Sequence, residues 1–249
     1  MRNNSIFQPS PSSPRNWAPD AFPPVASIAV ALGAVVVYFV TLVVLLRAFR
    51  VTPQSIVALE LTPAIVKAQV LSYVPILAYM AIALPMLARK SIAELLGRLG
   101  AHEALTGFGG AIVMWVVVVA VGTLESGIFG RQPTQTDIRL FQNSAPSLWL
   151  YAMALVAVTL APFAEELIFR GFVFNALWRH FSFIASAITS GLLFGAAHGQ
   201  VAGIIPLAAG GVVLATVYAR TGSLWASMIT HGSFNAITLA LLLVAEHKT

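Results

Sequence analysis

Two adjacent carboxylates, Glu165 and Glu166, stand inside a long apolar stretch of this 249-residue chain. A charged side chain at the centre of a membrane-spanning helix costs about 2.5–3.5 kcal/mol on insertion scales, so its presence there indicates a partner or a function. Arg170 follows Glu166 by four residues, which places both on one helical face at pairing distance. Glu166 is thus interpreted as the structural partner of Arg170. Glu165 points about 100° away and is left free as a general base. If the helix instead ended at Ala164, all three charges would face lipid headgroups.

Three further polar residues lie in later apolar segments: His198, and the pair His231 and Asn235, which are four residues apart on one helical face. Each of these alone is typical of a structural or interhelical contact. At 1.5 Å of rise per residue, however, Glu165, His198 and Asn235 fall about 20–25 Å from the same membrane side. His231 falls at about 14 Å and joins them if its helix is tilted. The four residues are therefore predicted to face one another.

This set of side chains is typical of acyl-bond hydrolysis. A carboxylate and an imidazole together can activate water, and a second imidazole with a carboxamide can donate hydrogen bonds to a developing oxyanion. One carboxylate and two imidazoles (Glu165, His198 and His231) are also a zinc ligand set with one open position. The residues alone leave the metal-dependent and metal-free versions open. A transporter is the rival class, because intramembrane carboxylates also mark ion pathways.

The composition places the chain in a membrane. Hydrophobic residues make up 58% of it and charged residues 9%, and the mean hydropathy is +0.86. A soluble domain has about 25% charged residues, because its surface faces water. The 14 Lys and Arg residues are scattered between apolar stretches, where they suit lipid headgroups and form no basic face for nucleic acid. The absence of cysteine excludes disulfides, thiolate metal sites and a cysteine nucleophile.

The hydropathy pattern predicts an all-α, polytopic bundle of about seven spans. Residues 1–24 are proline-rich and predicted to be a disordered tail, residues 25–139 to hold the N-terminal transmembrane helices, and residues 140–249 to form the catalytic core of four spans. The first three predicted spans are Val25–Leu46, Ala68–Ala88 and Ala104–Leu124. The fourth is Leu140–Ala164 with a continuation to Arg179, and the last is Ser223–Ala245. Between these two, the apolar sequence after His180 is divided into two spans at Gly199–Gly203. Small residues, including a GxxxG at Gly191 and Gly195, predict close helix packing in this core.

Three motifs in this core, taken in order, resemble those of the CAAX protease and bacteriocin-processing (CPBP, or Abi) family. They are EExxxR at Glu165–Arg170, FxxxH at Phe194–His198 and HxxxN at His231–Asn235. The likeness covers roughly residues 140–245, and none of the three motifs departs from the pattern. One such motif would be weak evidence, but three in the family's order in a polytopic membrane protein are specific.

The resemblance implies an intramembrane endopeptidase whose helices surround a conical cavity. Family members include the type II CAAX prenyl endopeptidase, which removes the last three residues after a prenylated cysteine. The expected partners are membrane lipids and a membrane-bound or lipid-modified peptide, in a bacterial plasma membrane. Because some members act in bacteriocin immunity or as scaffolds, a non-proteolytic role is the alternative.

The resemblance also implies a role for each motif residue. Glu165 would be the base that activates water with the help of His198, and His231 and Asn235 would stabilise the oxyanion. Glu166, Arg170 and Phe194 would support them. The family is commonly described as metalloproteases, with Glu165, His198 and His231 as candidate ligands of a divalent ion such as zinc. A direct glutamate mechanism without metal is preferred here, because the polar set offers few clear ligands.

Overall fold

In a computed structural model, the described part of the chain folds into a bundle of helices. The structure describes residues 24–51, 61–88, 96–130, 139, 141, 146–198 and 203–246. These residues form seven long helices and no strand: α1 (Pro24–Ala48), α2 (Pro63–Ala88), α3 (Ala101–Phe129), α4 (Leu148–Trp178), α5 (Phe183–Ala197), α6 (Ile204–Thr221) and α7 (Leu224–Glu246). The predicted all-α class is confirmed. The predicted disordered tail lies outside the described residues, apart from Pro24, which already belongs to α1.

Five helices in the described part of the chain are long and apolar enough to cross a membrane: α1, α2, α3, α4 and α6. Helix α5 is a shorter apolar helix of 15 residues. The predicted breaks between the last helices are confirmed, since α5 ends at Ala197, α6 begins at Ile204, and Gly222 terminates α6 with a φ of +67°. The chain is therefore an integral membrane protein built as a helical bundle.

Three helix boundaries differ from the prediction. Helix α2 begins at Pro63, earlier than predicted, because proline suits the first turn of a helix and the Thr62 hydroxyl accepts a hydrogen bond from the Ile65 amide at 3.3 Å. Helix α3 continues to Phe129, so that Glu125, which lies beyond the predicted span Ala104–Leu124, is a buried residue of the helix. The helix ends before Gly130, which has a φ of +81°.

Helix α4 begins at Leu148 rather than at residue 140, because the Ser147 side chain caps it by accepting from the Leu150 amide at 3.2 Å. The helix then runs for 31 residues without a break. Two π-helical segments, Val156–Leu160 and Leu167–Phe174, flank the stretch Ala161–Glu166 that carries both carboxylates. Such π-segments within α-helices are often found at functional sites.

The helices form one bundle in which α3 belongs with the C-terminal helices. Helix α3 packs against both α6 and α7, α5 packs against α6, and α1 pairs with α2 and lies along the second π-segment of α4. The Thr230 hydroxyl on α7 donates to the Gly107 carbonyl on α3 at 3.0 Å. The catalytic core predicted from the last four spans is thus completed by a helix from the N-terminal region.

Small residues bring α5 and α6 into backbone contact, as predicted. A Cβ atom added to Gly191 would lie 2.5 Å from the carbonyl oxygen of Ala208, and one added to Gly195 would lie 2.5 Å from that of Ile204. Between membrane helices, this close approach supplies the packing that the hydrophobic effect does not. The contact also fixes α5, and with it the position of His198 at the C-terminal end of that helix.

The Gly191→Ala variant is expected to be less stable than the wild type by about 1–3 kcal/mol, because the added methyl group overpacks a backbone contact. The measurement is thermal unfolding of the purified protein in detergent. Gly109→Ala on α3 is the matched control, since a Cβ there meets nothing within 4 Å. Equal melting temperatures for Gly191→Ala and Gly109→Ala would contradict the close α5–α6 contact.

Candidate active site

A buried ion pair between Glu166 and Arg170 supports the candidate site from below the surface of the bundle. Arg170 Nη1 lies 2.8 Å from Glu166 Oε1, and both side chains are completely buried. Arg170 Nη2 donates to the Gly211 carbonyl on α6 at 3.0 Å, and the guanidinium lies over the Phe194 ring, 4.7 Å from its centre. Buried charges are stable only when paired and hydrogen-bonded. The predicted pairing of Glu166 with Arg170 is therefore present, and it joins α4 to α5 and α6.

Glu166 also binds α7 through both of its oxygens. Oε1 accepts from Nδ1 of His231 at 3.1 Å, and Oε2 accepts from the Ser227 hydroxyl at 2.5 Å. Because a carboxylate can only accept, Nδ1 of this imidazole carries a proton, and Nε2 faces the other way. Glu166 thus orients His231.

Glu165 faces the two imidazoles at the centre of the site. Its Oε2 atom lies 3.9 Å from Nε2 of His198 and 3.9 Å from Nε2 of His231. This oxygen is buried, and no described residue offers it a hydrogen bond. The side chains of Glu165 and His198 are each 25% exposed, whereas His231 is 5% exposed. Three of the four predicted residues therefore meet around the buried Oε2 atom of Glu165, in side chains of which two are partly exposed.

The second nitrogen of His198 is also occupied. Nδ1 lies 2.9 Å from the Phe194 carbonyl, to which it donates, so Nε2 of the neutral ring carries a lone pair toward Glu165. Phe194 is buried and packs edge-to-face on both imidazoles, with ring centres 4.8 Å from His198 and 5.5 Å from His231. The supporting position predicted for Phe194 follows from these contacts.

Asn235 takes a different partner. Its Nδ2 atom donates to the Ala157 carbonyl in the first π-segment of α4 at 2.7 Å. The bond ties α7 to α4 one helical turn after His231. The structure therefore places Asn235 beside the predicted site, with its amide on the backbone of α4.

Polar residues that the motifs do not contain also contribute to the site. Ser227 could have been found from the sequence, since it precedes His231 by four residues on the same helical face. Tyr38 on α1 and Tyr73 on α2 lie within electrostatic range of Glu165, and Gln69 donates a hydrogen bond to the Tyr38 hydroxyl. No spacing in the sequence indicated that these N-terminal helices reach the site.

The side-chain types at the site suit a zinc ion, but their spacing does not. Donors about 2.0–2.1 Å from a tetrahedral zinc ion lie about 3.4 Å from one another. Glu165 Oε2 is 3.9 Å from each imidazole nitrogen, and within the described ranges no three such side chains are grouped closely enough to hold a metal ion. Atoms 3.9 Å apart can instead share one water molecule about 2.8 Å from each. The geometry therefore suits water better than a tetrahedral ion.

Fold and site together define the class: a polytopic helical membrane protein with a carboxylate and two imidazoles gathered inside its bundle. Residues 147–237 match the family model "Type II CAAX prenyl endopeptidase Rce1-like". A Bacillus subtilis (strain 168) protein named "Putative membrane peptidase YdiL" is 29% identical over 124 residues, which are 49% of each chain. The chain thus spans about half the length of this curated relative. No solved structure matches it.

The family match covers the three motifs of the sequence from Glu165 to Asn235, and the name of the relative is that of a membrane peptidase. Through its C-terminal helices, the chain is similar to the type II CAAX prenyl endopeptidase family. The resemblance stated from the motifs is confirmed.

Proposed function

We propose that this protein is an intramembrane endopeptidase that uses Glu165 and His198 to activate water. The convergence of two imidazole nitrogens on Oε2 of Glu165, at 3.9 Å each, is the observation that carries the proposal. Among the described residues this oxygen has no hydrogen-bond partner. A protease needs a base within reach of a water molecule and an open approach for a substrate. The partial exposure of the Glu165 and His198 side chains supports such an approach, which would end at the buried Oε2 atom.

In the proposed mechanism, a water molecule donates hydrogen bonds to Oε2 of Glu165 and Nε2 of His198. Its oxygen attacks the carbonyl carbon of the scissile peptide, and the proton passes to Glu165. In its imidazolium form, His231 donates from Nε2 to the developing oxyanion, while Glu166 stabilises the positive ring through Nδ1. Glu165 then gives the proton to the leaving nitrogen as the carbon–nitrogen bond breaks. New carboxyl and amino ends result.

The proposed substrates are membrane-bound or lipid-modified peptides, including CAAX-like C-termini. The site lies inside a bundle whose outer faces are apolar, with exposed side chains such as Val36, Ile112 and Leu192 on three different helices. A substrate reaching it from lipid would already carry an apolar anchor. The name of the matching family, which specifies a prenylated CAAX substrate, supports the same choice. The bacterial relative supports a bacterial plasma membrane as the location.

The proposal predicts that purified protein in liposomes cleaves some members of a library of transmembrane and C-terminally prenylated peptides, and that a zinc chelator leaves the cleavage rate unchanged. Mass spectrometry of the products gives both the activity and the scissile bond. If the chelator stops cleavage and added zinc restores it, the metal-free mechanism is wrong. If folded protein cleaves no peptide and instead carries protons or solute across the liposome membrane, the peptidase proposal is wrong.

A further inference from the structure

The first π-segment of α4 contains a backbone carbonyl for which its own helix provides no hydrogen-bond donor. In the π pattern of Val156–Leu160, the amide of Ala161 donates to the carbonyl of Val156, five residues earlier. The next bond in this series would run from residue 162 to the carbonyl of Ala157. Residue 162 is proline, which has no N–H to donate. The Ala157 carbonyl therefore needs a donor from elsewhere.

Asn235 on α7 supplies that donor, with Nδ2 at 2.7 Å from the Ala157 carbonyl oxygen. Gly232, three residues earlier on α7, makes the approach possible, because a Cβ atom there would collide with the neighbouring Val158 carbonyl. Gly232 thus permits the close approach of α7 to α4, and the Asn235 amide adds a hydrogen bond at the same place. Glu165 follows Pro162 by three residues in the same helix.

We infer that Asn235 is a positioning residue, whose side-chain amide replaces the backbone N–H that Pro162 lacks and so fixes the turn of α4 that aims Glu165. This role differs from that of an oxyanion donor, which must touch the reacting atoms. The inference rests on the proposed function only where activity is the readout. The pairing of Asn235 with Ala157 can be tested by stability alone.

The test is a double-mutant cycle between Asn235→Ala and Pro162→Ala. Asn235→Ala alone is expected to lower kcat by up to about 100-fold, with KM little changed, because a small displacement of the base is enough to lose that much rate. Pro162→Ala restores a backbone N–H to α4. In the Asn235→Ala background it is therefore expected to recover kcat to within about threefold of Pro162→Ala alone.

Two control variants accompany the cycle. Pro63→Ala removes an exposed proline from the start of α2 and is expected to give no recovery in the Asn235→Ala background. Thr238→Ala truncates a polar side chain of α7 that binds only the Phe234 carbonyl of its own helix, and is expected to leave kcat unchanged. Pro162→Ser restores the same N–H and replaces Pro162→Ala if that variant does not fold.

An Asn235→Ala defect that neither Pro162→Ala nor Pro162→Ser relieves would overturn the inference, because it would mean that the amide acts on the reacting atoms. Melting temperatures separate this result from a failure of the proposed function. Asn235→Ala is expected to lower Tm by a few degrees, and Pro162→Ala is expected to restore it, whether or not the protein cleaves peptides. Absence of cleavage by the wild type would reject the peptidase proposal and leave this stability cycle interpretable.

Discussion

Glu165→Gln should lower kcat for peptide cleavage by about 10³-fold while the protein remains folded. Glutamine has the shape of glutamate and can still hold water by hydrogen bonds, but it cannot accept the proton from water. The oxygen that it replaces already lacks a hydrogen-bond partner among the described residues, so the substitution disturbs no structural contact of that atom. The measurements are steady-state cleavage of a peptide identified from the library and the melting temperature of the same sample.

Glu103→Gln, in the first turn of α3, is the matched control and should retain full activity. A Glu165→Gln enzyme that keeps more than a tenth of the wild-type kcat would exclude Glu165 as the base. A second substitution of this residue, Glu165→Ala, distinguishes the alternative class. If the protein acts in bacteriocin immunity or as a scaffold, its biological effect should survive Glu165→Ala, whereas an effect that depends on proteolysis should be lost.

Arg170→Met should destabilise the protein by about 3–5 kcal/mol, the largest loss of stability that we expect from a single substitution here. The change leaves the Glu166 carboxylate buried without its cation, and it also removes the bond from Arg170 to the Gly211 carbonyl. Methionine fills much of the same volume, so the effect is electrostatic rather than a cavity. Thermal unfolding in detergent measures it, together with the amount of protein recovered from membranes.

The paired variant Glu166→Gln, Arg170→Met should recover much of this stability, because no uncompensated charge remains in the bundle. It should not recover activity, since glutamine no longer holds His231 as a carboxylate does. Arg47→Met at the exposed end of α1 is the control for removal of an arginine. If the single and paired variants unfolded at the same temperature, the ion pair would not be what stabilises this part of the bundle.

The adjacent carboxylates show what spacing within one helix can predict. A spacing of four residues on a helix settles which of two adjacent glutamates pairs with Arg170, because helical geometry is the same in every protein. The depths of the later imidazoles follow from counting residues from the predicted helix ends. Depths obtained in this way are accurate only to several ångströms. This counting placed His231 too far from the others, whereas in the structure both imidazoles are 3.9 Å from the same oxygen of Glu165.

Contacts between distant helices were beyond such reasoning. Tyr38 and Tyr73 approach Glu165 because α1 and α2 pack beside α4, and no periodicity in the first 140 residues predicts that docking. Glu125 lies directly after the predicted span Ala104–Leu124, at the start of a polar stretch, but one face of α3 turns inward at that position and buries it. Burial in a bundle depends on which helices are neighbours, and that information is nonlocal.

The sequence by itself determined the membrane class, the helical architecture, the family resemblance of the C-terminal helices and the identity of the residues that carry the motifs. Each of these depends on composition or on spacing within one helix. Only the tertiary structure decided that Glu166 holds His231, that α3 completes the bundle, and that Asn235 serves a carbonyl left open by Pro162. These features depend on a π-turn or on packing between residues that are 65–123 positions apart in the sequence. Neither produces a periodic pattern in the sequence.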